Sequence, residues 1–317
     1  MLRVAMGRGA EGTVRMRLDD EQESTNYEIQ RGGSGGFGGM GSGFGGGSGL
    51  IGMLLPLIGS KFGCTGIVIA LAVLAFLNFG GGVMNSLSPS GAPTEQGVSA
   101  GQGDGNGQLT EMQSFSLKVL HSTETVWGDL FRQAGQQYRP TILSFYSRSG
   151  RSGCGAAQSA MGPFYCPLDQ KIYLDTDFFA ELRQRFGAPG DFAQAYVIAH
   201  EVGHHIQDLE GTLGQVNQAQ RRVGEAQANA LQVRVELQAD CYAGVWGKRT
   251  GLMEAGDIEE GLRAAQAIGD DTLQREAGQR PMPDSFTHGS SEQRMTWLKR
   301  GLDSGNPAVC DTFGNAG

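Results

Sequence analysis

His200, Glu201 and His204 are the residues of this chain whose types and spacing best suit chemistry. They occur as His-Glu-Val-Gly-His within a run, Tyr196 to Ile206, that reads as helix. Side chains four residues apart lie one above the other on a helix face, so both imidazoles can bind one metal ion. The pattern H-E-x-x-H suits zinc, with the glutamate off the ligand pair where it can reach a water on the ion. Only five histidines occur in the chain, which makes a chance pairing at this spacing less credible than it would be in a histidine-rich protein. The plainer alternative is a helix that packs two ordinary histidines.

A third ligand is expected from Asn229 to Lys248, which reads as a second long helix. Glu236 and Asp240 lie four apart there, among Leu237, Ala239, Cys241, Ala243, Val245 and Trp246. Two acids in so apolar a helix need partners. Glu236 fits as the third zinc ligand, and Asp240 as the acceptor that fixes the tautomer of a ligand histidine.

These helices need a scaffold. Residues 109–317 are long enough for a core of their own. Phe115 to Tyr138 reads as an amphipathic helix, its apolar face interrupted by His121 and Trp127. Thr141 to Phe145 is a short apolar stretch, and Ser147 to Gly162 reads as a loop. Phe164 to Cys166 and Lys171 to Leu174 read as short strands around a turn at Asp169. The strand near Lys171 is a candidate edge along the cleft, open to an extended substrate. Asp175 to Phe186 begins like a helix. The metal helix is expected from Asp191, its possible cap, to Asp208. Up to Gln227 the chain is polar and Gln-rich; Leu252 to Ile268 is helical, residues 270–289 are less regular, and a last helix spans Ser291 to Leu302.

The N-terminal third differs in composition. Of 52 glycines, many lie before residue 108. Residues 1–31 form a polar tail, in which Met16 offers a second start; 32–49 and 80–108 read as flexible linkers. Between them, 50–61 is a short apolar segment and 62–79 is free of charge and long enough to be a transmembrane helix. Arg17, Arg31 and Lys61 precede it and no Lys or Arg follows until Lys118. That bias predicts a single-pass protein of the inner or plasma membrane, with the tail in the cytoplasm and residues 109–317 on the periplasmic side. An oxidising compartment suits the four cysteines outside the apolar segment. Cys154 and Cys166 flank a small-residue loop and could close a ring, leaving Cys241 and Cys310 to tie a helix to the C-terminal tail; four buried thiols are the alternative. A net charge of -8 gives no basic footprint for nucleic acid.

The acidic MRLDDE segment at Met16, the glycine-rich linker, the apolar helix, HEVGHHIQ, ELQADCYAG and the late FTHGSSEQR resemble the YpfJ-like neutral zinc metallopeptidases of bacteria. The likeness runs from Met16 to Phe313. More remotely, the order HExxH then ExxxD is similar to gluzincins and to HtpX-like membrane peptidases. The resemblance implies a zincin-like, mainly α domain with a small β element. It implies Zn2+ on His200, His204 and Glu236, Glu201 as general base, and a peptide or protein substrate. It also brings His288 near the site, since those families carry a histidine in a late loop. His288 is thus a candidate oxyanion donor, with Arg294 as rival donor or as the partner of Asp240. The expected protein is a membrane-anchored zinc endopeptidase. A non-catalytic zinc-containing peptide-binding module, and a metal-free helical domain whose acids and histidines merely pair, are the competing readings.

Overall fold

The computed structural model describes residues 16–30, 108–158, 161–179 and 190–314. The expected linkers, the apolar segment 50–61 and the span 62–79 lie outside them, apart from residue 108. Among the described residues no helix is long and apolar enough to cross a membrane.

The described residues form a mainly helical fold with a small sheet. Strands are β1 (Tyr27–Ile29), β2 (Ile142–Tyr146), β3 (Ser149–Ser152), β4 (Gly155–Gln158), β5 (Phe164–Cys166) and β6 (Lys171–Asp175). Helices are α1 (Glu111–Gln133), α2 (Asp191–Leu209), α3 (Thr212–Gln220), α4 (Glu225–Thr250), α5 (Asp257–Ala267), α6 (Asp270–Glu276) and α7 (Ser291–Ser304). The sheet runs β1-β2-β6-β5, with β1, β2 and β6 parallel and β5 antiparallel to β6, while β3 and β4 make a separate hairpin.

α1 starts on a capping box in which Thr110 accepts from the Gln113 N–H and Gln113 reaches back to the Thr110 N–H. Trp127 does not interrupt its apolar face but is buried in the core with Leu117, Leu120 and Phe131. α2 begins where expected, but Gly190 is its N-cap and Asp191 is the first helical residue, its carboxylate accepting from the Met16 N–H. α4 ends at Gly251 and α7 at Gly305, both with positive φ, a conformation glycine adopts without a Cβ penalty. α7 also opens on a capping box, Ser290 with Gln293.

Small residues let three helices approach closely. A Cβ on Gly203 of α2 would lie 3.0 Å from the Ala239 backbone of α4. On the far side of α4, a Cβ on Gly301 of α7 would lie 2.0 Å from the Cys241 carbonyl oxygen, and one on Gly244 2.2 Å from that of Leu298. This packing carries α2, α4 and α7 past one another at the level of His200, Asp240 and Arg294. Disulfides join Cys154 to Cys166 and Cys241 to Cys310. The second closes a sequence separation of 69 residues, and in the chain-entropy account a loop of that length gives about 4 kcal/mol.

Three expectations are corrected. The stretch near Lys171 is not an edge: β6 lies between β2 and β5, and among the described residues the outer strands of the sheet are β1 and β5. Ser147 to Gly162 is not all loop, since it contains the β3–β4 hairpin. Residues 16–30 are not a separate tail. Met16 and Leu18 are buried in the core, the Arg17 N–H donates to Leu252 O at 2.9 Å, and β1 pairs with β2. Residues 16–30 are therefore part of the same folded unit as the residues they pack against.

Candidate metal centre

The spacing read from the sequence becomes a cluster. His200 and His204 on α2 face Glu236 on α4, and one ligand atom from each lies within 4.8 Å of the others. All three are largely buried, His200 and Glu236 at 6 % exposure. His200 Nε2 is 3.2 Å and His204 Nε2 3.7 Å from Glu236 Oε2. Ligands about 2.0–2.1 Å from a tetrahedral zinc lie roughly 3.3 Å from one another, so the spacing fits that ion.

The outer nitrogens decide which lone pairs face inward. His200 Nδ1 is 2.8 Å from Asp240 Oδ1 and His204 Nδ1 is 2.9 Å from Gln207 Oε1. The Gln207 amide is oriented by its Nε2, which donates to Val235 O at 2.7 Å and to Gln238 Oε1 at 2.9 Å. Both imidazoles therefore carry their proton on Nδ1 and turn an unprotonated Nε2 toward the Glu236 carboxylate. Two imidazole nitrogens and a carboxylate oxygen converging in a buried space draw positive charge between them, as a proton or as a metal ion. Burial alone lowers the pKa of His200, but the carboxylates of Asp240 and Glu236 outweigh it and raise the value to about 9. Burial pushes Glu236 up, and the neighbouring imidazoles more than reverse this, holding it well below the usual carboxylate range.

Asp240 is fully buried and accepts four bonds. His200 donates one, Tyr196 Oη one at 2.6 Å, and Arg294 two, from Nε at 2.9 Å and Nη2 at 2.8 Å. Burial penalises its charge, but Arg294 and then His200 lower its pKa to about 2. Arg294, 3 % exposed, spends its Nη1 on Ile268 O at 3.3 Å. The guanidinium is thus committed to Asp240 and to the backbone, and does not serve as the rival donor to substrate.

His288 lies before α7, near enough to Glu236 for their charges to act on each other. Its Nδ1 is 3.1 Å from Asp270 Oδ1. Oδ2 of the same carboxylate accepts from the backbone N–H groups of Thr287, His288 and Gly289 at 2.7, 2.6 and 3.1 Å. Burial disfavours a charged His288, yet Asp270 and Glu236 raise its pKa. Sequence reading missed Asp270, Tyr196 and Gln207. The last two were available as residues four before His200 and three after His204, on the same helix face. Asp270 carried no such signal, because its partners lie in a loop 17 to 19 residues away.

The chain is 45% identical over 304 residues to the "Uncharacterized protein YpfJ" of Escherichia coli (strain K12), a match covering 95% of this chain and 100% of that protein. It is 43% identical over 210 residues to the "Uncharacterized protein Mb2605" of Mycobacterium bovis, covering 62% of this chain and 69% of the relative. "Uncharacterized protein Rv2575" of Mycobacterium tuberculosis matches to the same extent, 43% over 210 residues. No solved structure matches. Residues 16–313 match a single family model, and the chain belongs to that family, described as "Putative neutral zinc metallopeptidase".

Proposed function

We propose that the protein is a zinc endopeptidase in which His200, His204 and Glu236 hold the ion and Glu201 moves the protons. The observation that carries this reading is the convergence of the two Nε2 atoms and a Glu236 oxygen within 4.8 Å, one residue from a second buried glutamate. A zinc ion there would supply a Lewis acid that polarises a peptide carbonyl and acidifies water. Glu201, 7 % exposed, follows His200 and is turned about 100° around the helix from it. From there it accepts a proton from the attacking water and delivers it to the departing amine. Asp240 and Gln207 keep both imidazoles in the tautomer that leaves Nε2 free. The test is a digest of a broad peptide library by the full chain with and without a chelator. Internal cleavages lost with chelator and restored by zinc support the reading, and cleavage indifferent to chelator contradicts it.

In this mechanism His288, anchored through Nδ1 by Asp270, offers Nε2 to the oxyanion. Loss of one such donor costs roughly 3 kcal/mol, or two orders of magnitude in turnover. His288→Ala is expected to keep its zinc and its melting temperature and to lose about that much of kcat. Near-native kcat in a folded, zinc-replete variant would remove His288 from the mechanism.

The disulfides and the packing of residues 16–30 support a proposal for the site of action. Both disulfides persist in an oxidising compartment. We place residues 16–30 and 108–314 together on the extracytoplasmic face, the apolar segment between them contacting the membrane. Thr25 is exposed, so a Thr25→Cys chain in intact cells is expected to react with a membrane-impermeant maleimide above the level of the unsubstituted chain. Reaction only after lysis would put this face in the cytoplasm.

A further inference from the structure

The two oxygens of the buried Glu236 carboxylate are not equivalent. Oε2 faces the imidazoles, 3.2 Å from His200 Nε2 and 3.7 Å from His204 Nε2. Oε1 accepts instead from Gln232 Nε2 at 3.1 Å. Gln232 sits one turn before Glu236 on α4, where side chains four residues apart meet. The difference matters because a carboxylate can give a metal ion one oxygen or both.

The direction of the Gln232 amide is set from outside α4. Gln220, at the end of α3, donates through Nε2 to Ala228 O at 3.0 Å. A backbone carbonyl only accepts, so the group pointing at it is the amide nitrogen. The same nitrogen is 3.3 Å from Gln232 Oε1. Gln232 thereby spends its oxygen on Gln220 and turns its NH2 group toward Glu236. Gln220 belongs to the polar, Gln-rich stretch before α4, which reaches the metal centre through this one amide.

On the footing of the proposed zinc site, we infer that Gln232 is a positioning residue: it reserves Glu236 Oε1, so that Glu236 offers the metal Oε2 alone. One atom each from His200, His204 and Glu236 then leaves a fourth tetrahedral position for water and the substrate carbonyl. Without Gln232, Oε1 belongs to a buried carboxylate and lacks its donor. The ion offers the replacement partner, and a carboxylate that turns both oxygens to it crowds the position the water needs.

The test strips the full chain, in detergent, of metal and loads it with cobalt(II), whose visible bands report the ligand set. Gln232→Leu removes the donor at similar size and helix propensity. It is expected to take up one cobalt per chain, with bands displaced in wavelength and intensity from those of the unsubstituted protein. Gln220→Leu, which leaves Gln232 in place but frees its amide to turn, is expected to displace them in the same direction by less. Loaded with zinc, Gln232→Leu is expected to cleave peptide with kcat lower by about 10–100-fold and KM little changed. Asn229→Ala controls for a loosened α4, since it removes the Nδ2 bond to Asp284 O at 3.0 Å and none at the ligands. Its bands are expected to superimpose on those of the unsubstituted protein. Superimposable bands for Gln232→Leu at full cobalt occupancy, or an equal displacement in Asn229→Ala, would overturn the proposal. An unsubstituted chain that binds no cobalt, or binds it as well after His200→Ala, would overturn the zinc site itself and the role of Gln232 with it.

Discussion

Arg294→Leu is expected to lose about 3–5 kcal/mol of stability and to release the metal, although Arg294 touches none of the proposed ligands' metal-facing atoms. The reason is Asp240. That carboxylate is 0 % exposed, and Arg294 supplies the permanent positive charge bonded to it. Removing one partner of a buried ion pair leaves the other charge uncompensated, which is what costs 3–5 kcal/mol. Asp240 would then draw a proton or rotate toward His200 and Tyr196, and the tautomer that turns Nε2 inward would no longer be enforced. Urea unfolding and zinc content by elemental analysis read the two effects. Unchanged stability would show that the buried pair is compensated elsewhere.

Gly301→Ala is expected to be comparably damaging for a purely steric reason. Its Cβ would lie 2.0 Å from Cys241 O and 2.8 Å from Val245 N, atoms of the α4 backbone that no rotamer change can move. α7 must translate, which costs about 1–3 kcal/mol for ordinary overpacking and more where backbone is the obstacle. The shift also carries Arg294 away from Asp240, so metal should be lost with stability. Gly128→Ala in α1 is the control. Nothing lies within 4 Å of its Cβ, and there the exchange should stabilise by up to about 1 kcal/mol. If both variants melt alike, close packing of α4 on α7 does not hold the site together.

What could be read from the sequence was whatever is local. The i, i+4 spacings of His200 with His204 and of Glu236 with Asp240 place those pairs on helix faces irrespective of the rest of the fold, and the burial of α4 showed in its run of apolar neighbours. Both cysteine pairings were open in the sequence beside four buried thiols, and the structure forms both bonds. What failed was non-local. β1 is three residues long and pairs in parallel with a strand more than a hundred residues away, so no periodicity marked it and the segment read as a tail. The same blindness put β6 at an edge, since its neighbour β2 on one side carries no turn signal linking the two. The use of Gly244 and Gly301 emerges only when two helices lie against each other. Asp270 was invisible because its role is to collect the N–H groups of a loop.

The central claim, that Glu201 moves protons for a metal held by its neighbours, is tested most directly by Glu201→Gln in the full chain. Glutamine matches glutamate in size but cannot accept the proton from water. Zinc per chain and cleavage of a quenched-fluorescent peptide drawn from the library digest are measured on the same preparation, beside the unsubstituted protein. The account predicts one zinc per chain in both and cleavage only in the unsubstituted protein. Full cleavage by the zinc-replete Glu201→Gln variant would contradict it.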